Sequence, residues 1–354
     1  MFMQRVIQTL SRWYNLESRD LPWRQTTDAY CIWISEIILQ QTRVVQGVGY
    51  YNRFVMELPN IQSLANAEEG DVLKLWQGLG YYSRARNLHY AAKQVMTEFG
   101  GVFPSTYKDI LRLRGVGNYT AAAIASFAFG EKVPAIDGNV KRVGARFFGL
   151  HAPIHTMGFQ KELFSLLFDL MDGADPNVFN QAMIEVGATL CLPTQPKCDV
   201  CPLAEACIAR LQNLQKQIPV VAKKQKPKDK FFYYVDIEVG GERVLVRREG
   251  DGIWQQLYEF PMIEGDGPDW DLETVAKGLG IVENFVVKGE QSFKHQLTHQ
   301  TIYARCWYLC ISSDKFVLND GWERLNEANF LLKPIHRLME KMIKFTQQKR
   351  HSSN

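Results

Sequence analysis

Two carboxylates and four thiols stand out for the chemistry their surroundings would allow. Glu36 lies in the run Ile32-Trp33-Ile34-Ser35-Glu36-Ile37-Ile38 and shares a helical face with Ile32 and Gln40. A carboxylate held among apolar groups is penalised by desolvation, so its pKa rises and it can hold a proton near neutral pH and donate it as a general acid. The plainer alternative is a glutamate at the edge of the stripe, paired to Arg43. Asp137 follows Pro134 and precedes Gly138, just ahead of a helix expected from about Asn139. An aspartate there serves as an N-cap. With Lys141, Arg142 and Arg146 on the next helix, it would also lie beside a basic flank suited to a phosphate backbone. Cys191, Cys198, Cys201 and Cys207 follow the spacing C-x6-C-x2-C-x5-C. They can form one compact thiolate pocket, fit for a four-iron four-sulfur (4Fe-4S) cluster or a structural zinc. The long outer gaps are unlike the paired C-x2-C units of most zinc modules, which favours the cluster.

The elements that must position these groups are mostly helical. Asp28 can cap the Glu36 helix, and Ser105 can open a helix carried by Ile110, Leu111 and Leu113 into the turn Gly115-Val116-Gly117. Tyr119 to Phe129 forms the next helix, so the pattern is helix, glycine turn, helix. Two glycines one residue apart let backbone N–H groups converge at a helix start, where an anion such as a DNA phosphate is favoured, although most such turns are only turns. Gly78 to Arg86 interleaves glycines, two tyrosines and two arginines, either to wedge between bases while gripping phosphate or as an ordinary packed loop. Asn177 to Leu190 is an amphipathic helix running into the cysteines.

Past the cysteines the composition changes. Gln212 to Lys230 carries Pro219, Pro227 and five lysines from Lys223 to Lys230, and reads as a basic linker. Beyond it, Phe231 to Val239, Val244 to Arg247 and runs within Phe293 to Leu309 read as strands, and Leu272 to Leu279 and Ile335 to Phe345 as helices. The expected organisation is therefore a mainly α amino-terminal domain over residues 1–211, a linker over 212–230, an α+β domain over 231–346 and a disordered tail over 347–354.

The chain's 354 residues, 46% hydrophobic and 12% aromatic, exclude a disordered protein and suit two domains. A net charge of +3 permits a polyanionic partner without demanding one. No apolar run is long enough to span a bilayer, and the start lacks the charged-then-apolar pattern of an export signal, so a cytoplasmic protein is expected, without membrane contact. The odd total of seven cysteines argues against a disulfide framework.

Taken together, these motifs resemble the helix-hairpin-helix DNA glycosylases, and within them the adenine DNA glycosylase family. The likeness covers nearly the whole chain. It comprises LPWR at Leu21 to Arg24, SEIILQQT at Ser35 to Thr42, WQGLGYYSRARNLH at Trp76 to His89, the glycine hairpin, IDGNVKRV at Ile136 to Val143, FNQAMIEVGA at Phe179 to Ala188, the four cysteines, and a carboxy-terminal domain like a Nudix fold. The resemblance implies a two-lobed catalytic domain with an iron-sulfur cluster loop. It implies excision of adenine mispaired with 8-oxoguanine or guanine in double-stranded DNA by a monomeric, bacterial-type, nucleoid-associated enzyme. Glu36 would be the general acid that protonates adenine at N7, and Asp137 the carboxylate that stabilises the sugar cation, oriented by Asn139. Tyr119 occupies the place where the endonuclease III group has a lysine that attacks the sugar, so the resemblance implies a monofunctional enzyme that leaves an abasic site. The alternative is an endonuclease III-like glycosylase and lyase acting on oxidised pyrimidines. Trp23, Arg24 and Gln181 would surround the flipped base, Gln41 and Tyr81 would wedge into the duplex, and Gly115, Val116 and Gly117 would hold its backbone.

Three places depart from the family pattern. Leu297-Thr298-His299 stands where Phe-Ser-His is common in the 8-oxoguanine recognition loop, so the hydroxyl is kept while leucine replaces an aromatic ring. Gln255 and Gln256 replace common glycines, and Arg114 replaces the proline before the hairpin, where it could add a phosphate contact. The run of glutamates with which Nudix hydrolases hold magnesium is missing, so recognition without pyrophosphatase activity is expected.

Overall fold

In a computed structural model of the chain, the described residues are 2–221, 226–250, 252–311 and 316–351. The chain divides into two compact units, Met1–Asn66 with Asn87–Lys223, and Ala67–Arg86 with Lys224–Asn354. Ala67–Arg86, expected within the first domain, thus belongs to the second unit by its contacts.

The first unit is helical. Phe2–Glu17 buries Val6, Ile7, Leu10 and Tyr14, a spacing of one helical stripe, against Val140, Val143 and Phe147 and against Phe179, Met183 and Val186. The helix Ala29–Leu39 has no polar face: Ile32, Trp33, Ile34, Ile37 and Ile38 are all buried, so it runs through the core. Asp28 caps it, its carboxylate accepting the Cys31 N–H at 3.0 Å. The helix Asn118–Phe129 packs against it, made close by the small side chains Ala121, Ala122, Ala123 and Ala125.

The hairpin is present with a shift at its entrance. Its first helix is the short Tyr107–Ile110, capped by Thr106, whose hydroxyl accepts the Asp109 N–H at 3.2 Å, rather than by Ser105. Gly115 needs to be glycine twice over, because its φ is +78° and a Cβ there would lie 2.6 Å from the Asn87 Cβ. Gly117 has φ −96° and open space around it, so the second glycine of the turn is permissive. Val116 is buried and pins the turn to the core.

The second unit is built on a sheet of order β3-β2-β1-β6-β5, with β4 on β1 and β7 on β2. Here β1 is Lys228–Val239, β2 Glu242–Arg247, β3 Tyr258–Glu259, β4 Met262–Gly265, β5 Phe285–Gln296, β6 Gln300–Ile311 and β7 Trp322–Leu325. The long parallel pair β1 and β6 runs from Lys228 opposite Gln300 to Val239 opposite Ile311. Because strand side chains alternate, Phe232 and Tyr234 meet Leu338, Met339 and Met342 on one face, whereas Tyr233, Val235 and Ile237 meet Val275 and Ala276 on the other. A parallel pair covered on both faces by helices is the α+β arrangement expected. Two boundaries move: β1 starts at Lys228, inside the expected linker, and the last helix, Arg337–His351, includes residues 347–351 of the expected tail. Residues 352–354 lie outside the described residues.

Candidate active site

The first unit contains a cavity of about 750 Å³ that brings Glu36, Tyr119, Asp137 and Asn139 together. Each arrives on its own element. Glu36 stands in the last turns of the apolar Ala29–Leu39 helix, and Tyr119 in the first turn after the hairpin. Asp137 is the N-cap of the helix Gly138–Phe148: one carboxylate oxygen accepts the Val140 N–H at 2.7 Å and the other the Asn139 side-chain N–H at 2.8 Å. Capping and facing the cavity are thus both true of this residue. Trp23, Arg24, Gln41 and Gln181 line the same cavity, as do Gly115 and Gly117. Trp23 is buried and meets Tyr51 edge to face at 5.3 Å. Gln41 has a left-handed backbone, φ +59°.

Burial raises both carboxyls. Burial pushes Glu36 up to about 7, helped by the negative Asp137 and opposed by a hydrogen bond with Tyr119 and the charge of Arg24. Its partner is therefore Tyr119 in place of the considered Arg43. Burial raises Asp137 too, while the Val140 N–H, Asn139 and Arg142 pull it back. Of the two, Glu36 is the group brought to about 7. Burial also drives the Tyr119 hydroxyl far up, so it stays protonated as a hydrogen-bond donor.

Several residues of this site escaped the reading of the sequence. Glu185 is fully buried, gripped by Arg19 through two bonds of 2.7 and 2.8 Å and by Arg24 at 2.6 Å. Tyr14 lies under the Arg24 guanidinium at 5.4 Å and donates to the Gln181 side-chain oxygen at 2.9 Å. Arg142 donates to Asn139 at 2.9 Å and to the Gly187 and Cys191 carbonyls, both at 2.7 Å. For Arg142 and Arg146 this corrects the expected basic flank. Arg146 is buried and gives its guanidinium to the carbonyls of Ile218, Leu192 and Pro193, so these arginines hold the cysteine loop and do not face a phosphate. The signal for such roles is weak in sequence, since a buried arginine is visible only through partners distant along the chain.

The four cysteines line one small cavity, with Arg146 donating to the Cys191 sulfur at 3.3 Å, and none forms a disulfide. Among the described residues no group of three or more His, Cys, Asp or Glu is placed to share a single metal ion, and the four thiols instead ring a common cavity. Burial pushes the Cys201 thiol up to about 12, with the other three thiols adding to the rise.

A second cavity, about 420 Å³, lies wholly in the second unit and gathers Tyr81, Leu297, Thr298 and His299. The Tyr81 and Thr298 hydroxyls are hydrogen bonded. The predicted residues therefore fall into two groups, with Tyr81 beside the recognition loop and Gln41 beside the carboxylates.

Residues 34–167 match the HhH-GPD superfamily of base excision DNA repair proteins, and residues 233–344 match the NUDIX domain. The chain is 35% identical over 350 residues to the adenine DNA glycosylase of Buchnera aphidicola subsp. Baizongia pistaciae, covering 96% of this chain and 97% of that protein. It is 42% identical over 219 residues to the human adenine DNA glycosylase, covering 59% of this chain and 40% of that one. Among solved structures, a thermostable thymine-DNA glycosylase superposes with a TM-score of 0.55 at 31% identity, over 59% of this chain and 97% of that one. An endonuclease III trapped covalently on DNA superposes at 0.51 over 60% of this chain and 97% of that one, at 18% identity, a likeness of fold. No helix among the described residues is long and apolar enough to cross a membrane.

Proposed function

The chain belongs to the adenine DNA glycosylase family, and from that premise we propose that the first cavity is where it hydrolyses the N-glycosidic bond of adenine mispaired with 8-oxoguanine or guanine. The observation that carries the assignment of residues is the meeting of Glu36 and Asp137 in one cavity, with Glu36 lifted by burial to about 7. The target adenine leaves the duplex and enters this cavity. Protonated Glu36 gives its proton to N7, the bond from the sugar carbon to N9 breaks, and adenine departs neutral. The Asp137 carboxylate stabilises the positive sugar centre, held in place by Asn139 and the Val140 N–H. Water then adds to the sugar carbon, and Glu36, now ionised, takes the proton that water releases. Tyr119 offers a hydroxyl and no amine, so no Schiff base forms and the product is an abasic site.

Cys191, Cys198, Cys201 and Cys207 would hold a 4Fe-4S cluster. Four soft thiols around one cavity, with a guanidinium against one sulfur, suit an anionic iron-sulfur group. These cysteines would, through the cluster, tie together the loop after Pro176–Thr189. Arg142 links that loop to Asn139, and so to Asp137. The second cavity is read as the site for the orphaned 8-oxoguanine, with Thr298 supplying a hydroxyl.

The test is release of base from duplexes carrying adenine opposite 8-oxoguanine, adenine opposite guanine, and thymine glycol. Adenine should be released from the first two. Asp137→Asn should keep duplex binding and lose excision. Release of thymine glycol alone would sink the proposal, and preserved turnover in Asp137→Asn would remove that residue from the chemistry. A visible iron-sulfur absorption lost in Cys198→Ser checks the cluster.

A further inference from the structure

Among the described residues, five non-glycine residues have a left-handed backbone: Gln41, Tyr81, Asn213, Trp254 and Gln256. Asparagine tolerates that region, but an aromatic side chain there is strained, a state that persists only where the surroundings over-determine it. Gln41 lines the first cavity, whereas Tyr81 and Trp254 both line the second. Trp254 is the less expected, because nothing in the recognition loop requires it.

What holds it is unusually complete. The indole lies flat on the ring of His336, with centroids 3.7 Å apart and planes within 5°. His336 is fully buried. Its Nδ1 accepts the Met339 N–H at 3.1 Å, so in the neutral ring Nε2 carries the proton, and that nitrogen lies 3.2 Å from the Glu259 carboxylate. Glu259, itself buried, also accepts from Arg248 at 2.6 Å and from the Tyr234 hydroxyl at 3.1 Å. On the other side of the loop Arg86 donates to the Gln255 carbonyl at 2.7 Å and to its side chain at 3.0 Å. A polar network this deep, with each member partnered, fixes orientation more than it adds stability.

From this juxtaposition we infer that Trp254 is the aromatic wall that decides which purine the second cavity accepts, and that His336, Glu259 and Arg248 are the residues that position it. The inference rests on reading this cavity as the 8-oxoguanine site. Leu297 lacks the ring that the recognition loop commonly supplies, and Trp254 brings a flat face to the same cavity, together with His295 at 5.7 Å from its centroid. The ligand is an oxidised purine. Compared with guanine it has an N7–H donor and an oxygen at C8. A flat wall excludes water and fixes the base plane, so that the Thr298 hydroxyl must meet the purine edge directly. The 8-oxoguanine N7–H can donate to the Thr298 oxygen, a bond that guanine, with a lone pair at N7, cannot make.

The experiment measures dissociation constants of full-length protein for duplexes with a non-cleavable adenine analogue opposite 8-oxoguanine or opposite guanine. Wild type should prefer 8-oxoguanine. Trp254→Leu, which keeps apolar bulk but no ring, should lower that preference roughly tenfold or more. Trp254→Phe should keep most of it. His336→Gln should shift the preference in the same direction as Trp254→Leu, in protein shown folded by thermal melting. A preference untouched by Trp254→Leu overturns the inference. If Thr298→Ala abolishes the preference while Trp254→Leu does not, the lesion site stands and the wall falls. If wild type shows no preference, the lesion reading falls and the inference with it.

Discussion

Glu185→Gln should act on stability and on pH response together. The carboxylate is fully buried between Arg19, whose side chain is 38% exposed, and Arg24, 11% exposed. Burial alone would raise Glu185, but the hydrogen bonds from Arg19 and then Arg24 outweigh it and hold the carboxyl below its ordinary range. Removing the charge leaves Arg24 buried without its counter-ion. Breaking a buried pair costs about 3–5 kcal/mol, and because Arg19 reaches solvent the low end applies. For a unit of this size that is a fall in Tm of roughly 6–12 °C. The lost stabilisation belongs to a depressed carboxylate. It is present above the ordinary carboxylate pKa and disappears as pH falls through the lowered folded value, so the gap between wild type and variant should close in acid. The second effect is chemical. Arg24 already lowers Glu36, and without Glu185 its charge is uncompensated, so Glu36 should ionise below about 7. The assay is thermal melting from acid to neutral pH, with single-turnover adenine release on the same samples. An unchanged Tm at neutral pH, or an alkaline limb that stays in place, would refute the reasoning.

Two further substitutions probe backbone and packing. Gly187→Ala places a Cβ 2.5 Å from the Asn139 Cβ, in contact between the helices Gly138–Phe148 and Pro176–Thr189. Asn139 must shift off Asp137, so single-turnover excision should fall roughly tenfold or more, a loss of about 1.4 kcal/mol of transition-state stabilisation. Unchanged excision would show that Asn139 is not needed to aim Asp137. Gln256→Gly relieves a left-handed backbone at φ +66°. It should stabilise the second unit by about 0.5–1 kcal/mol in denaturant melts, since the relief of about 1–2 kcal/mol exceeds the extra chain entropy of glycine. A destabilised variant would mean that the glutamine side chain compensates the strain.

How much of this was legible depends on whether a residue's role is local. The apolar run around Glu36 announced both a buried helix and a desolvated carboxylate, because burial and pKa share one cause. Asp137 as a cap followed from Asp-Gly before a helix. Its raised pKa did not follow, because burial by distant elements outweighs hydrogen bonds that the local sequence foretells. Lys141, Arg142 and Arg146 looked like a phosphate surface. Arg142 and Arg146 instead turn inward, since the partners that satisfy them are carbonyls about fifty residues or more along the chain. The Glu185 clamp and the Trp254–His336 stack were hidden for the same reason: each joins segments far apart in sequence. The placement of Ala67–Arg86 in the second unit likewise depends on tertiary contacts that no composition shift marks.

The most direct measurement is the pH dependence of single-turnover adenine release from a duplex with adenine opposite 8-oxoguanine. With Glu36 as a proton donor raised to about 7, the rate should hold below that pH and then fall close to tenfold per unit as the donor ionises. A rate that stays level or climbs through alkaline pH would contradict the assignment of Glu36 as the acid.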